Sequence, residues 1–300
     1  MHTGRLASLS AASLIALAGA CTDKETPRSV LPPADPAALS VARAADAGIL
    51  RSPGCGKAPP VAAGVLVSTT GGRTFRVHTP RGYDASRAYP VLFAFHGIDS
   101  NGGELAARFK IEEHVMGEAI VVYPDARKAS YGGTAWELGG DRDVTAFDDM
   151  RSAVAQGFCV DVARVYAMGF SYGGKFINSL ACRRPGVLRA VSSSESSWGN
   201  ANESTCKPVP MLVTHRTTDP DELLEWGRGA ADTWARIDGC DGPKATDVTD
   251  AAHGCVDYRG CKAKVTFCED RYVNDAWPRG ANHTIREEYI DLIWRWLRQQ

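Results

Sequence analysis

One hexapeptide holds most of the chemistry this chain can do. Gly169-Phe170-Ser171-Tyr172-Gly173-Gly174 sets a serine between glycines, directly after the apolar run Val165-Tyr166-Ala167-Met168 and before a stretch with helical spacing. A strand that turns this sharply into a helix needs glycine at the flanking positions, where side chains would collide, and it lifts the serine hydroxyl clear of the sheet. A serine presented in this way is a nucleophile for a carbonyl carbon. The oxyanion it creates needs two donors, and the Tyr172 amide at the helix N-terminus is one of them. The other is expected from a loop after a neighbouring strand. His96-Gly97-Ile98 follows the run Val91-Leu92-Phe93-Ala94-Phe95, which makes the Ile98 amide the candidate.

Serine also needs a base and an acid to orient that base. Where this turn operates, both follow the serine in the chain, acid first. His96 precedes Ser171 and so reads as loop support. Asp219 and Asp221 both lie beyond the run Met211-Leu212-Val213-Thr214, with Asp219 nearer the strand end. Asp221 and Glu222 also suit the first turn of the next helix, where the dipole favours acids. For the base, His253 and His283 are the histidines beyond the acid. His253 precedes the run Val265-Thr266-Phe267, whereas His283 follows it and stands before the last helical stretch. The expected set is Ser171, Asp219 and His283, with the Ile98 and Tyr172 amides as oxyanion donors and no metal or cofactor required.

These residues must be positioned by regular elements, and the pattern supplies them. Val65 to Ser68 and Thr74 to His78 read as a hairpin turned at Gly71-Gly72. Short uninterrupted apolar runs then recur at Val91 to Phe95, Ala119 to Tyr123, Val165 to Met168, Leu188 to Val191, Met211 to Thr214 and Val265 to Phe267. Helical spacing fills the gaps at Val144 to Phe158, Tyr172 to Cys182, Glu222 to Ile237 and Ile285 to Leu297. Strands buried on both faces and separated by helices imply one mostly parallel sheet flanked by helices, an α/β fold. Trp136, Tyr172, Trp198 and Trp277 fall in loops near strand C-terminal ends, where they either line an acyl pocket or fill the core.

The 300 residues include 34 lysines and arginines against 35 aspartates and glutamates. That balance excludes a nucleic-acid partner held by phosphate contacts. Arg5 precedes an uncharged stretch from Leu6 to Ala20, too short for the roughly 20 residues of a membrane span but suited to a signal peptide. Leu17-Ala18-Gly19-Ala20-Cys21 resembles a lipobox, so Cys21 is the expected lipid attachment point and the only link to a membrane. The expected organisation is a signal peptide over 1–20, a Pro- and Ala-rich tether over 21–53 and one catalytic domain over 54–300, exported as a bacterial lipoprotein or secreted. Past Cys21 stand Cys55, Cys159, Cys182, Cys206, Cys240, Cys255, Cys261 and Cys268. An even number without Cys-x-x-Cys spacing reads as disulfides and not zinc, with the pairing left open.

Gly54-Cys55-Gly56-Lys57, Phe95-His96-Gly97, Tyr123-Pro124, Asp143-Val144, Phe158-Cys159-Val160-Asp161, the elbow, Leu180-Ala181-Cys182 and Gly239-Cys240 together resemble the secreted feruloyl esterases and their polyhydroxybutyrate-depolymerase-like relatives. The likeness spans roughly residues 53 to 298. It implies the α/β-hydrolase fold, with Ser171 as nucleophile, Asp219 as acid and the Ile98 and Tyr172 amides as oxyanion hole. It also implies an ester substrate, feruloyl or related hydroxycinnamoyl esters on plant polysaccharide, with a polyester as the alternative. Three positions depart from the pattern. Arg216 stands where the family usually has glycine, Asp221-Glu222-Leu223 replaces a Val-Pro, and Asp275 stands where the family has its histidine. The last departure moves the expected base along the loop to His283. It also supports a rival reading, a surface lipoprotein that keeps the fold and binds polysaccharide or polyester without turnover.

Overall fold

Alternation along the central strands decides the architecture, because each strand must bury both of its faces. A computed structural model describes residues 26–27, 29–31, 48–242, 246–272 and 282–300. Its strands are β1 (Val30–Leu31), β2 (Leu66–Thr69), β3 (Thr74–His78), β4 (Tyr89–Phe95), β5 (Ile120–Pro124), β6 (Arg127–Lys128), β7 (Thr134–Ala135), β8 (Val160–Phe170), β9 (Ala190–Ser194), β10 (Met211–Arg216), β11 (Thr246–Asp250), β12 (Cys255–Tyr258) and β13 (Val265–Asp270). The helices are α1 (Gly102–Phe109), α2 (Ile111–His114), α3 (Arg142–Gly157), α4 (Tyr172–Arg183), α5 (Leu224–Ile237) and α6 (Glu287–Leu297).

Eleven strands form one sheet in the order β1-β2-β3-β5-β4-β8-β9-β10-β13-β12-β11. From β5 to β13 every neighbouring pair is parallel. Antiparallel pairs β2–β3, β3–β5, β12–β13 and β11–β12 flank this centre. The pleat sends Val91, Phe93 and Phe95 into one core with residues of α3, α4 and α5. Leu92 and Ala94 enter the other, with residues of α1 and α6. This is the mostly parallel α/β sheet that the apolar runs imply, in the α/β-hydrolase arrangement that the family resemblance implies. The β11–β12 hairpin went unread in the sequence because Thr246 to Asp250 is polar and mostly exposed.

The disulfides pair Cys55 with Cys159, Cys182 with Cys206, Cys240 with Cys261 and Cys255 with Cys268. All eight cysteines beyond Cys21 are therefore spent on cross-links. Cys255 and Cys268 face each other across β12 and β13, whereas Cys55–Cys159 closes a separation of 104 residues. Longer closed loops restrict the unfolded chain more, so this link has the largest entropic lever.

The packed domain starts earlier than residue 54. The Leu50 carbonyl accepts the Val162 amide at 2.9 Å, and the Leu50 amide donates to Asp161 Oδ1 at 3.1 Å. Buried Ser52 donates through Oγ to the Phe158 carbonyl at 2.7 Å and accepts the Val160 amide at 3.0 Å. Val30 and Leu31 pair with Ser68 and Thr69. The tether drawn over 21–53 thus includes residues that join the sheet, where backbone pairing outweighs the weak local propensity of a Pro- and Ala-rich stretch. Cys21 lies outside the described residues. Among the described residues, no helix is long and apolar enough to cross a membrane.

Asp238, at the C-terminal end of α5, is fully buried. Burial pushes its carboxyl up to about 8, and a favourable contact with the Val209 amide offsets little of this. A carboxylate there also faces the negative end of the helix dipole. Below about pH 4 the group is protonated in both the folded and unfolded chains. Between there and about 8 only the folded chain keeps the proton, so stability falls as pH rises through that window. Asp238→Asn should melt at the wild-type temperature near pH 4. Near pH 8 it should melt higher by at least about 2–4 °C, the shift that ~1 kcal/mol gives in a domain of this size. Thermal scans at the two pH values check this, and a gain of equal size at both would refute the buried-acid account.

Candidate active site

The turn from β8 into α4 is set by backbone crowding. A Cβ at Gly169 would collide with the backbone of Gly173 and Gly174, and one at Gly173 would collide with the carbonyl oxygens of Phe95 and His96. Ser171 at the apex takes φ 55° and ψ −123°, a region that L-residues enter only under strain. Two bonds hold it there: its amide donates to the Ser194 carbonyl at 3.0 Å, and Ser196 Oγ donates to the Ser171 carbonyl at 2.7 Å. Tyr172 opens α4, so its amide belongs to the first turn, which has no intrahelical acceptor.

The loop after β4 closes on the serine. A Cβ at Gly97 would lie 3.3 Å from Ser171 Cβ and 3.6 Å from its Oγ, so the absence of a side chain at Gly97 lets this loop reach the hydroxyl. His96 is buried and pins the loop. Its Nε2 accepts the Ala126 amide at 3.0 Å, which leaves Nδ1 to donate to the Gly97 carbonyl at 2.7 Å. Burial holds the His96 imidazole below its ordinary value, so it remains a neutral strut. Trp136 Nε1 donates to the His96 carbonyl at 2.8 Å, and its ring stacks on Phe176. Trp136 is therefore core. Trp198 is half-buried, bonded to the Ala201 carbonyl at 3.0 Å and edge-on to Trp234. Tyr172 stays half-buried beside the serine. Trp277 and Asp275 lie outside the described residues.

Beyond β10, Asp219 turns its carboxylate inward. Oδ1 accepts the Asp221 and Glu222 amides at 2.9 and 3.0 Å. Oδ2 receives the His283 Nδ1 hydrogen at 2.7 Å. Burial pushes the Asp219 carboxyl up, but the bonds from His283 and the two amides outweigh it, and the group is held below its ordinary value. Of the two acids considered, Asp219 meets the histidine, while Asp221 is exposed and contributes an amide. His253 instead binds Asp250 at 2.7 Å and packs edge-on to Tyr289. The His283 ring lies 4.8 Å from Phe170, the residue before the serine. Among the described residues, no hydrogen bond links the ring to the Ser171 hydroxyl, as is common before substrate binds.

Three contributors escaped the sequence reading. Arg108 donates to the His283 carbonyl at 2.7 Å and stacks on Phe170. Arg216 sends Nη2 to the Tyr272 carbonyl and to Asn282 Oδ1, both at 3.3 Å, and pairs with Asp270, which Arg286 grips with two bonds of 2.8 Å. Glu195 accepts the Arg216 amide at 2.9 Å. No motif marks Arg108 or Glu195; an arginine inside an apolar strand end was the signal available for Arg216. Glu195, His215 and Asp219 cluster closely, as do Asp219, Asp221 and His283. Both sets share the Asp219 carboxylate, already engaged by His283 and two amides, so they read as one hydrogen-bonded network.

A strained serine, a nearby histidine bonded to a buried aspartate and two amide-bearing loops are the parts of a serine hydrolase. A family model described as "Putative esterase" matches residues 67–238. The chain belongs to this esterase family. The esterase is 30% identical over 257 residues to feruloyl esterase C of Emericella nidulans, covering 82% of this chain and 90% of that one. It is 30% identical over 229 residues to feruloyl esterase D of Neurospora crassa, covering 70% and 77%. Among solved structures it resembles an acetyl xylan esterase from Aspergillus awamori, with TM-score 0.57 and 15% identity over 75% of this chain and 94% of that one. The protein is a carboxylic ester hydrolase.

The strain at Ser171 has a measurable counterpart. Glycine tolerates a positive φ and alanine does not. Ser171→Gly and Ser171→Ala both lack the hydroxyl, and the glycine variant should be the more stable by about 1 kcal/mol or more. Calorimetry of the two proteins checks this; equal melting would mean that the turn relaxes and stores no strain.

Proposed function

We propose that the esterase works through an acyl-enzyme on Ser171, with His283 as general base, Asp219 as its orienting acid and the Ile98 and Tyr172 amides as oxyanion hole. The observation that carries this is the 2.7 Å bond between His283 Nδ1 and Asp219 Oδ2, which engages Nδ1 and reserves Nε2 for the role of base. His283 Nε2 takes the Ser171 proton as Oγ attacks the ester carbonyl, and the negative oxygen is received by the two amides. The imidazolium then gives the proton to the departing alcohol. Water repeats the sequence on the acyl-enzyme and releases the acid. The imidazolium is stabilised by the adjacent Asp219 carboxylate.

The substrate we infer is a feruloyl or related hydroxycinnamoyl ester on plant polysaccharide. Support comes from the names of the relatives and from Tyr172, an aromatic side chain beside the nucleophile. The tether and the small residues before Cys21 support export, with a lipid on Cys21 holding the enzyme to the cell envelope. Intact mass of the mature protein checks the anchor: an N-terminus at residue 21 carrying acyl mass is expected, and a mature chain without it overturns that part.

Turnover of methyl ferulate and labelling by a fluorophosphonate test the site. Ser171→Ala and His283→Ala should each lower kcat on the order of 10⁴–10⁶-fold, as is usual when one member of such a unit is removed. Wild type should be labelled at Ser171, and His253→Ala should turn over like wild type. Near-normal turnover of His283→Ala beside a dead Ser171→Ala would place the base elsewhere. A folded wild type that neither turns over nor reacts would favour the binding protein.

A further inference from the structure

Behind the candidate triad lies a buried carboxyl to which the acyl-enzyme mechanism gives no task. Glu195 follows β9 directly, is 2% exposed and holds a positive φ of 49°. Its amide donates to the Thr214 carbonyl at 3.0 Å, and its Oε2 accepts the Arg216 amide at 2.9 Å. Both bonds fix it to β10 just before the Asp219 turn. The Glu195 carboxyl, the Asp219 carboxylate and the His215 imidazole lie mutually within 4.8 Å.

Two carboxyl groups this close and out of water cannot both be ionised. Asp219 has the stronger claim to the charge, since it faces His283 and accepts two amides. Glu195 has burial, Asp219 and Asp270 against its ionised form, and these hold it well above its ordinary value despite the Arg216 amide. His215 brings no compensating charge: burial holds its imidazole below the ordinary value, and its Nε2 donates to the Glu222 carbonyl at 2.8 Å. The shared proton therefore sits on Glu195. A carboxylate offers about four lone-pair sites; His283 and the amides of Asp221 and Glu222 take three, and an O–H from Glu195 takes the remaining one.

We propose that Glu195 is a positioning residue for the triad: as a neutral acid it donates an O–H hydrogen bond to Asp219 and fixes the plane in which that carboxylate meets His283. The inference rests on the triad reading above. It also accounts for a polar side chain in a position where an apolar one would otherwise be expected.

Steady-state kinetics of Glu195→Gln and Glu195→Ala across pH test it, with melting temperatures for both. In the glutamine variant the amide N–H replaces the O–H and the carbonyl still accepts the Arg216 amide, so kcat should stay within about 3-fold of wild type at every pH. The alanine variant should lose roughly 10–10²-fold in kcat with KM unchanged, the size of effect that slight misplacement of a catalytic group produces. Its acid limb in kcat/KM should also move to higher pH, because Asp219 without the donor attracts the imidazolium more strongly. A glutamine variant as impaired as the alanine variant overturns the neutral-donor role, and so does an alanine variant with unshifted pH dependence. Should Glu195→Ala not fold, infrared difference spectra decide: in an Asp238→Asn background at neutral pH, a carboxylic-acid band must be present and must vanish with Glu195→Gln. Wild-type behaviour of Glu195→Ala beside a dead His283→Ala ends this inference alone, whereas an active His283→Ala ends the triad reading itself.

Discussion

The close approach of backbone to backbone where β8 turns into α4 is the constraint on which the rest of the site depends. Gly169, Gly173 and Gly174 have no room for a Cβ, and the segments that deny it come from three directions: the helix itself, the end of β4 and the Ser193 to Ser196 segment at the end of β9. These contacts hold Ser171 in a conformation it would leave if it were free. They also fix where the loop of His96 to Ile98 must pass, since that loop abuts the same turn. The hydroxyl and the loop proposed to carry an oxyanion donor are thus placed by one packing event, and the parallel centre of the sheet delivers all three segments to the same edge.

Asp219 and His283, the proposed acid and base, are held by different physics. Asp219 is placed by its own turn, with two amides on one oxygen. His283 comes from a distant stretch of chain, and buried charge brings it in. Arg216 reaches both Tyr272 and Asn282, the described residues on either side of 273–281, while Asp270 neutralises it and binds Arg286. Arg216 and Asp270 are out of water and are sustained by their partners, while Arg286 stays partly exposed. The cost is specificity of placement bought with desolvation, and it gives the histidine a fixed address that backbone pairing alone does not supply.

How much of this was legible follows from how local each signal is. The elbow is contiguous, so glycine spacing and the preceding apolar run revealed it. The central strands are legible because burial on both faces makes them uniformly apolar. Asp219 and His283 could be found by chain order, with Asp221 left as an alternative until the hydrogen bonds separated them. Glu195, Arg108 and Arg216 act through contacts across 24 to 175 residues, as the Asp219, His283 and Asn282 partnerships show; nothing near Glu195 or Arg108 announces this, and the charge of Arg216 in an apolar strand end marks the residue without naming its partners. Trp136 was left open between acyl pocket and core, because loop position near a strand end suits both; its indole N–H, which holds the His96 carbonyl, places it in the core. The start of the domain was misplaced because β1 and residues 50 to 52 are ordered by partners and not by their own composition.

The two borders of the sheet have a bearing on how these molecules tolerate crowding. An open sheet ends in unpaired amides and carbonyls, which invite a strand from another molecule. Among the described residues, one border is β1, two residues long, which offers little ladder to template an addition. The other is β11, whose sequence Thr-Asp-Val-Thr-Asp places carboxylates along the exposed ladder. An identical border from a second copy would bring Asp247 and Asp250 against their own counterparts, and like charges opposed across strands repel. An eleven-stranded sheet that would otherwise be a hazard at high local concentration is therefore ended at both borders by features that disfavour self-pairing.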